Sequence, residues 1–244
     1  MRTGRFAMRA AALCAVCLAL QSTAWAGSFQ VNPIRVDLGA NAQTAALKVK
    51  NTGDEPVVVQ VSVEAWAQDD GKEVYSSTRD LLATPPVTTI PPDEERVVRI
   101  GLRRAPEATR ELSYRLFLQE VPPPPKPGFQ GLVVALRVGL PIFVAPTRGK
   151  ASPQLAWKAA RLPDQKLQLT AINSGTGHVQ VAEINVMPDG GEKAIATQAG
   201  LSYVLPDQRR SWVLPLNSSL GVSRIRVKAV TDAGNLDTVI DLAD

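Results

Sequence analysis

Three observations predict an all-β fold for this 244-residue chain. Short runs that alternate apolar and polar residues recur along its length, as expected of strands with one face packed and the other wet. Clusters of Gly, Pro, Asn and Asp separate the runs at the spacing of a β-sandwich. Past the N-terminal segment, no window carries the apolar spacing of a long amphipathic helix.

Residues 1–26 are expected to lie outside the fold. Arg2, Arg5 and Arg9 precede the apolar run "AALCAVCLAL", and Ala24-Trp25-Ala26 offers a small-x-small cleavage site before Gly27. This is the pattern of a Sec-type secretory signal peptide, too short to span a membrane. Cys14 and Cys17 are the only two cysteines and lie inside it, in no convincing lipobox. The mature chain is therefore read as cysteine-free, with no disulfide framework, thiolate metal site or thiol nucleophile. The whole chain has 27 Lys and Arg against 23 Asp and Glu. Losing the signal's arginines brings the balance close to neutral, without the polycation character that attracts nucleic acid.

The strand candidates follow in order. "TAALKVKN" sets Leu47 and Val49 opposite Lys48 and Lys50, and "EPVVVQVSVEAWAQ" sets Val57, Val59, Val61, Val63 and Ala65 opposite Val58, Gln60, Ser62 and Glu64. "ERVVRIGL" opposes Val98, Ile100 and Leu102 to Arg99; "ELSYRLFLQEV" opposes Leu112, Tyr114, Leu116 and Leu118 to Ser113, Arg115 and Phe117. "KLQLTAIN", "VQVAEINVM", "SYVLP", "RRSWVLPL" and "SRIRVKAVT" continue the pattern more polarly. "NTGDEP", "QDDGKE" and "MPDGGEK" supply turns, the last two with hairpin dipeptides. "ATPPV" and "TIPPDEE" fix extended backbone and can carry a cis bond.

Two Pro-rich segments compete as a domain boundary. "VPPPPKPG" (121–128) lies between two long strand candidates and fits a loop between paired strands. "APTRGKASP" (145–153), where a long strand ends in Pro, Gly and basic residues, is the better junction. The expected domains are 27–146 and 153–244, each the size of an immunoglobulin-like sandwich.

One run stands apart. "VVALRVGLPIFVAP" (133–146) carries a single charge, Arg137, and both of its faces are apolar or small. Such a strand is either buried on both sides or left open to receive another chain.

Catalytic signals are weak. His178 is the single histidine, which rules out multi-histidine metal sites and leaves only a formal possibility of a Ser-His-Asp hydrolase. It reads as an ordinary turn or edge residue. No nucleophile elbow, phosphate loop or paired-carboxylate motif stands out, and the acidic "GDEP" and "PDEE" read as solvated turns. No enzyme activity, cofactor or metal is expected. What remains is binding.

"TPPVTTIPPDEERVVRI", the pair "SYRLFLQEVPP" and "GLVVALRVGLPIFVAP", and "YVLPDQRRSWVL" together resemble the PapD-like periplasmic chaperones of chaperone–usher pilus assembly. "FQVNPIRVDL" resembles their first strand and "INSGTGHVQV" an early part of their second domain. The resemblance covers essentially the whole mature chain. It implies two immunoglobulin-like domains in an L, and a periplasmic chaperone that caps pilus or fimbrial subunits by donor-strand complementation. Delivery to an outer-membrane usher follows from it too, with no nucleic acid partner and no stable membrane insertion. Without a visible ATP site, release would come from strand exchange with another subunit. The alternative reading is a secreted immunoglobulin-like adhesin or structural binding protein.

By the same resemblance, Leu132, Val134, Leu136 and Val138 are the donor residues that enter the subunit's groove. Long-studied members hold the subunit's C-terminal carboxylate with an Arg on the first strand and a Lys on the donor strand. Arg35 matches the first; the second position is Pro141, which has neither a cation nor an N–H. "YRLFLQEVPP" and the proline-bearing donor strand resemble the archaic, non-classical branch, which makes Arg115 the expected anchor. A guanidinium meets a carboxylate with two parallel charge-assisted bonds. Arg35 is a second candidate and Arg137 a third.

Overall fold

The computed structural model describes residues 29–69, 71–124, 134–217 and 221–243. Ten strands come first: β1 (Phe29–Asn32), β2 (Val36–Leu38), β3 (Thr44–Asn51), β4 (Val57–Asp69), β5 (Lys72–Ser77), β6 (Leu81–Thr84), β7 (Val87–Ile90), β8 (Glu95–Leu102), β9 (Leu112–Val121) and β10 (Arg137–Val144). Seven follow: β11 (Leu155–Leu162), β12 (Lys166–Asn173), β13 (Val179–Pro188), β14 (Ala196–Val204), β15 (Gln208–Pro215), β16 (Arg224–Thr231) and β17 (Gly234–Ala243). The described residues contain no helix, so the fold is all-β.

The N-terminal strands form two sheets, ordered β1-β3-β8-β6 and β2-β10-β9-β4-β5, with β7 also paired to β4. Period-2 patterning decides what lies between them. Leu47, Val49, Val98 and Ile100 from one sheet share a core with Val59, Leu116, Leu118 and Ile142 from the other. Lys48 and Arg99 point outward, as the alternation requires. The C-terminal strands form a third sheet, ordered β14-β13-β16-β17-β11-β12-β15, around a core of their own that includes Leu167, Leu169, Ile184, Val186, Leu214, Ile225 and Val227.

Several loops follow the sequence closely. Asp69 and Lys72 pair across a tight turn at Gly71, whose φ of 79° is the left-handed backbone that glycine adopts without strain. Thr84–Pro85 is cis, as is Asn32–Pro33. β9 and β10 pair antiparallel, Leu112 opposite Val144 and Gln119 opposite Arg137, so "VPPPPKPG" begins a connection between paired strands.

Two strands depart from expectation. In β4 the alternation holds through Val57, Val59 and Val61, but the buried set then changes face to Trp66 and Gln68. The first half of β4 packs on the N-terminal core, and the second half reaches the C-terminal strands. In the apolar run, strand begins at Arg137 rather than near residue 133. Beyond Arg137 the ladder keeps only half of its next pair: Glu120 N–H donates to the Leu136 carbonyl at 2.8 Å, but Leu136 N–H donates to the Glu120 carboxylate at 3.0 Å in place of a backbone carbonyl.

Candidate functional site

β10 is a strand with two kinds of edge. One edge pairs with β9 along its whole length. The other meets β2 only at Ile142–Val144, in parallel. Among the described residues, no strand covers that edge at Arg137–Pro141. β1, just before β2 in the chain, is committed to β3 in the opposite sheet.

The even-numbered side chains of this segment run out of the core toward solvent. Ile142 and Val144 are fully buried, and Leu140 nearly so. Leu136 and Val138 are partly buried against the same core, and Val134 is 57% exposed. Leu132 lies outside the described residues. A row of apolar side chains beside unpaired backbone is a template for another strand.

The opposite face of the sheet carries the cationic candidates. Arg115 projects from β9 away from Tyr114, Leu116 and Leu118, which lie in the core. Its register neighbours are Glu64 on β4 and Pro141 on β10. Its guanidinium carbon lies 4.7 Å from the Trp66 ring centroid, over the indole face. Nε and Nη1 are sealed from solvent and have no hydrogen-bond partner. Two buried N–H donors without partners are costly where they stand. Gly139 makes the room: a Cβ there would stand 3.2 Å from Arg115 Nε and 3.1 Å from Phe117 Cε1.

Arg35 is differently placed. It precedes β2, is exposed, and donates from Nε to both Asp37 oxygens, at 3.0 and 3.1 Å. Nη1 reaches Asp232 at 3.8 Å, and the guanidinium carbon stands 5.6 Å from the Phe143 ring. Its charge is already compensated from both halves of the molecule. Arg137 stacks on Phe117 at 4.0 Å and lies 3.8 Å from Glu64. The three arginines therefore line one face, where Trp66, Phe143 and Tyr203 form an aromatic floor with Leu205. Burial of Tyr203 pushes its phenol pKa up, while Arg35 and Arg115 both pull it down.

The same face joins the two halves. Gln68, 4% exposed, donates to the Tyr203 carbonyl at 2.8 Å and accepts from Leu205 N–H at 3.1 Å. Arg110 pairs with Asp207 at 2.9 Å. Here the sequence reading of His178 needs correction. It does sit in a turn, just before β13, but its side chain is 8% exposed and 2.6 Å from Glu111. It is an interface residue. Its sequence neighbours could not reveal this, because Glu111 and Phe143, which stacks on the imidazole, both come from the other half. Sequence reasoning also passed over Trp66, Glu73 and Arg210; the one available signal was a Trp and a Gln on the same side of "EAWAQ", a strand already assigned its core face.

Two β-sheet assemblies, joined across a polar and aromatic interface, with the β10 edge uncovered at Arg137–Pro141 among the described residues, define the class: an all-β, immunoglobulin-like protein. Residues 28–150 match the pili and flagellar-assembly chaperones, PapD N-terminal domain, and the chain belongs to that family of assembly chaperones, not to a family of enzymes.

Solved structures share the fold. One is the CsuC–CsuE chaperone–tip adhesion subunit pre-assembly complex from the archaic chaperone-usher Csu pili of Acinetobacter baumannii. It is 22% identical over 88% of this chain and 98% of that one, with a TM-score of 0.65. Another is the Salmonella enterica SafA pilin in complex with the SafB chaperone, 24% identical over 91% and 100%, with a TM-score of 0.62. The Pseudomonas aeruginosa CupB2 chaperone is 22% identical over 87% and 100%, with a TM-score of 0.55. None of the curated proteins compared with the chain matches it.

Proposed function

We propose that the protein is a periplasmic chaperone of the archaic chaperone–usher branch. Residues 1–26 direct export and are removed, and 27–146 and 153–244 are its two domains. It binds a pilus subunit by strand addition and delivers it to an outer-membrane usher. The observation that carries this reading is the open edge of β10 at Arg137–Pro141, beside the apolar row Val134, Leu136 and Val138. Leu132, the remaining donor residue that the resemblance implies, lies outside the described residues. Backbone groups supply the hydrogen bonds of an added strand and alternate side chains fill the subunit's pockets. Arg115 holds the subunit's terminal carboxylate, with Arg35 in a secondary role because Asp37 and Asp232 already engage it.

Periplasmic co-purification tests this. The tagged chain should retain a small β-sheet subunit, identified by mass spectrometry. Arg115→Ala should weaken retention by a factor of roughly thirty to several thousand, the consequence of about 2–5 kcal/mol lost when one partner of a desolvated charge pair is truncated. Arg115→Lys should rescue in part, having the charge without the fork. Extending the subunit by two residues, which moves its carboxylate, should mimic Arg115→Ala. Retention within about twofold of wild type would reduce Arg115 to a surface arginine.

A further inference from the structure

The hairpin of β4 and β5 reaches the C-terminal strands at β15. At its turn, a Cβ on Gly71 would stand 3.1 Å from the Ser211 backbone nitrogen. Just behind the turn, Glu73 lies opposite Gln68 in the ladder and Tyr75 lies opposite Trp66. The Glu73 carboxylate works in two directions. Oε2 accepts from Trp66 Nε1–H at 2.5 Å, and Oε1 accepts from Arg210 Nη1–H, on β15, at 2.5 Å. Gln68 Nε2 stands 3.4 Å from each oxygen.

The indole so fixed is the plate under Arg115. Its edge is pinned by Glu73, Tyr203 meets it edge-on at 5.4 Å, and Phe143 packs at 6.0 Å. A cation over an aromatic face is held most strongly where water is excluded, and Arg115 Nε and Nη1 are so sealed. An ion pair as accessible as Glu73–Arg210 adds little to stability by itself. Its consequence lies in the orientation of Trp66.

We infer that Glu73 and Arg210 are positioning residues for Arg115. Arg210 orients the Glu73 carboxylate, the carboxylate orients the Trp66 indole, and the indole face holds the guanidinium where a subunit's carboxylate meets it. The relay crosses from the C-terminal strands to the N-terminal sheet. Swinging the halves apart would therefore release the anchor. The inference rests on reading Arg115 as that anchor.

The test is NMR on the full mature chain, labelled at arginine and tryptophan side-chain nitrogens. The Arg115 Nε–H signal, assigned by its loss in Arg115→Lys, should carry the ring-current shift of Trp66 and exchange slowly with solvent. Glu73→Gln and Arg210→Leu should each move the Trp66 Nε1–H signal and speed Arg115 Nε–H exchange on the order of tenfold. Arg210→Lys should restore most of both, and serves if Arg210→Leu unfolds. With the subunit isolated by co-purification as probe, Glu73→Gln should weaken binding on the order of tenfold in the wild-type background and leave Arg115→Ala unchanged. An unmoved Arg115 signal, or an equal loss in both backgrounds, overturns the relay. If Arg115→Ala itself retains the subunit, the anchor reading falls and the NMR result alone decides the positioning.

Discussion

His178 lies flat on Phe143, with ring centroids 3.5 Å apart and planes 5° from parallel. One ring comes from the open-edged strand β10 and the other from the turn before β13, so the stack joins the halves. The imidazole also faces two carboxylates, Nδ1 at 2.6 Å from Glu111 and Nε2 at 3.8 Å from Asp232. His178→Ala would leave the Glu111 carboxylate, 10% exposed, without its ring partner. The backbone N–H of residue 178, 3.1 Å from the same Oε1, remains, so the loss is that of one hydrogen bond to a charged group, about 1.5–3 kcal/mol. We predict a lower urea midpoint for His178→Ala, with both cores still folded by near-ultraviolet circular dichroism. An unchanged midpoint would assign the stack no part in joining the halves.

Val134 separates binding from folding more cleanly than its neighbours. At 57% exposure, Val134→Asp should change the stability of the free protein by no more than about 0.5 kcal/mol. Leu136 and Val138 pack on the core, so charges there would disturb the fold as well. The expected result is a Val134→Asp protein with wild-type melting behaviour that no longer retains its subunit in periplasmic co-purification. Full retention would remove Val134 from the donor row.

The all-β fold was legible because both cores are built by local alternation. "TAALKVKN" and "RIRVKA" name their buried faces without any knowledge of their neighbours. The outward direction of Arg115 followed from the same arithmetic along "SYRLFL". The interface was not legible. Trp66 and Gln68 lie on the face that alternation assigns to solvent, and they are buried by Tyr203 and Leu205, more than a hundred residues away. Periodicity reports a strand's own sheet; it carries no signal for what covers the sheet's other side. Pro141 was readable as a missing cation, but its place directly across from Arg115 needed the β9–β10 register.

Tyr114 gives the N-terminal sandwich a pH signature. Burial, reinforced by the hydrogen bond its hydroxyl donates to Asp80 at 2.8 Å, pushes its pKa well above the ordinary value of 10.0. Above about pH 10 the unfolded chain releases this proton while the folded one keeps it, so the folded form binds more protons and stability falls as pH rises. Its contribution is fully present below the unfolded pKa. Urea midpoints measured from about pH 9 to 12 should therefore fall more steeply for wild type than for Tyr114→Phe. Parallel slopes would mean that Tyr114 ionises alike in both states.

Gly139 tests the anchor without touching a charge. It sits opposite Phe117 in the β9–β10 ladder, and a Cβ there would press within 3.1 Å of Phe117 Cε1 and 3.2 Å of Arg115 Nε. The tightest contact is to a ring stacked between Tyr75, edge-on at 5.2 Å, and the Arg137 guanidinium at 4.0 Å, so the ring has little room to yield. Arg115 has more rotatable bonds than Phe117, so its guanidinium should be the group displaced from Trp66. Alanine also has the higher strand propensity, so the backbone itself should not object. Gly139→Ala is expected to fold with a melting temperature near wild type, to lose the ring-current shift of Arg115 Nε–H, and to bind subunit on the order of tenfold more weakly. Combined with Arg115→Ala it should add no further loss, because the group it displaces is already gone. A Gly139→Ala protein that binds as wild type would show that the position of the guanidinium over Trp66 is not what the subunit recognises.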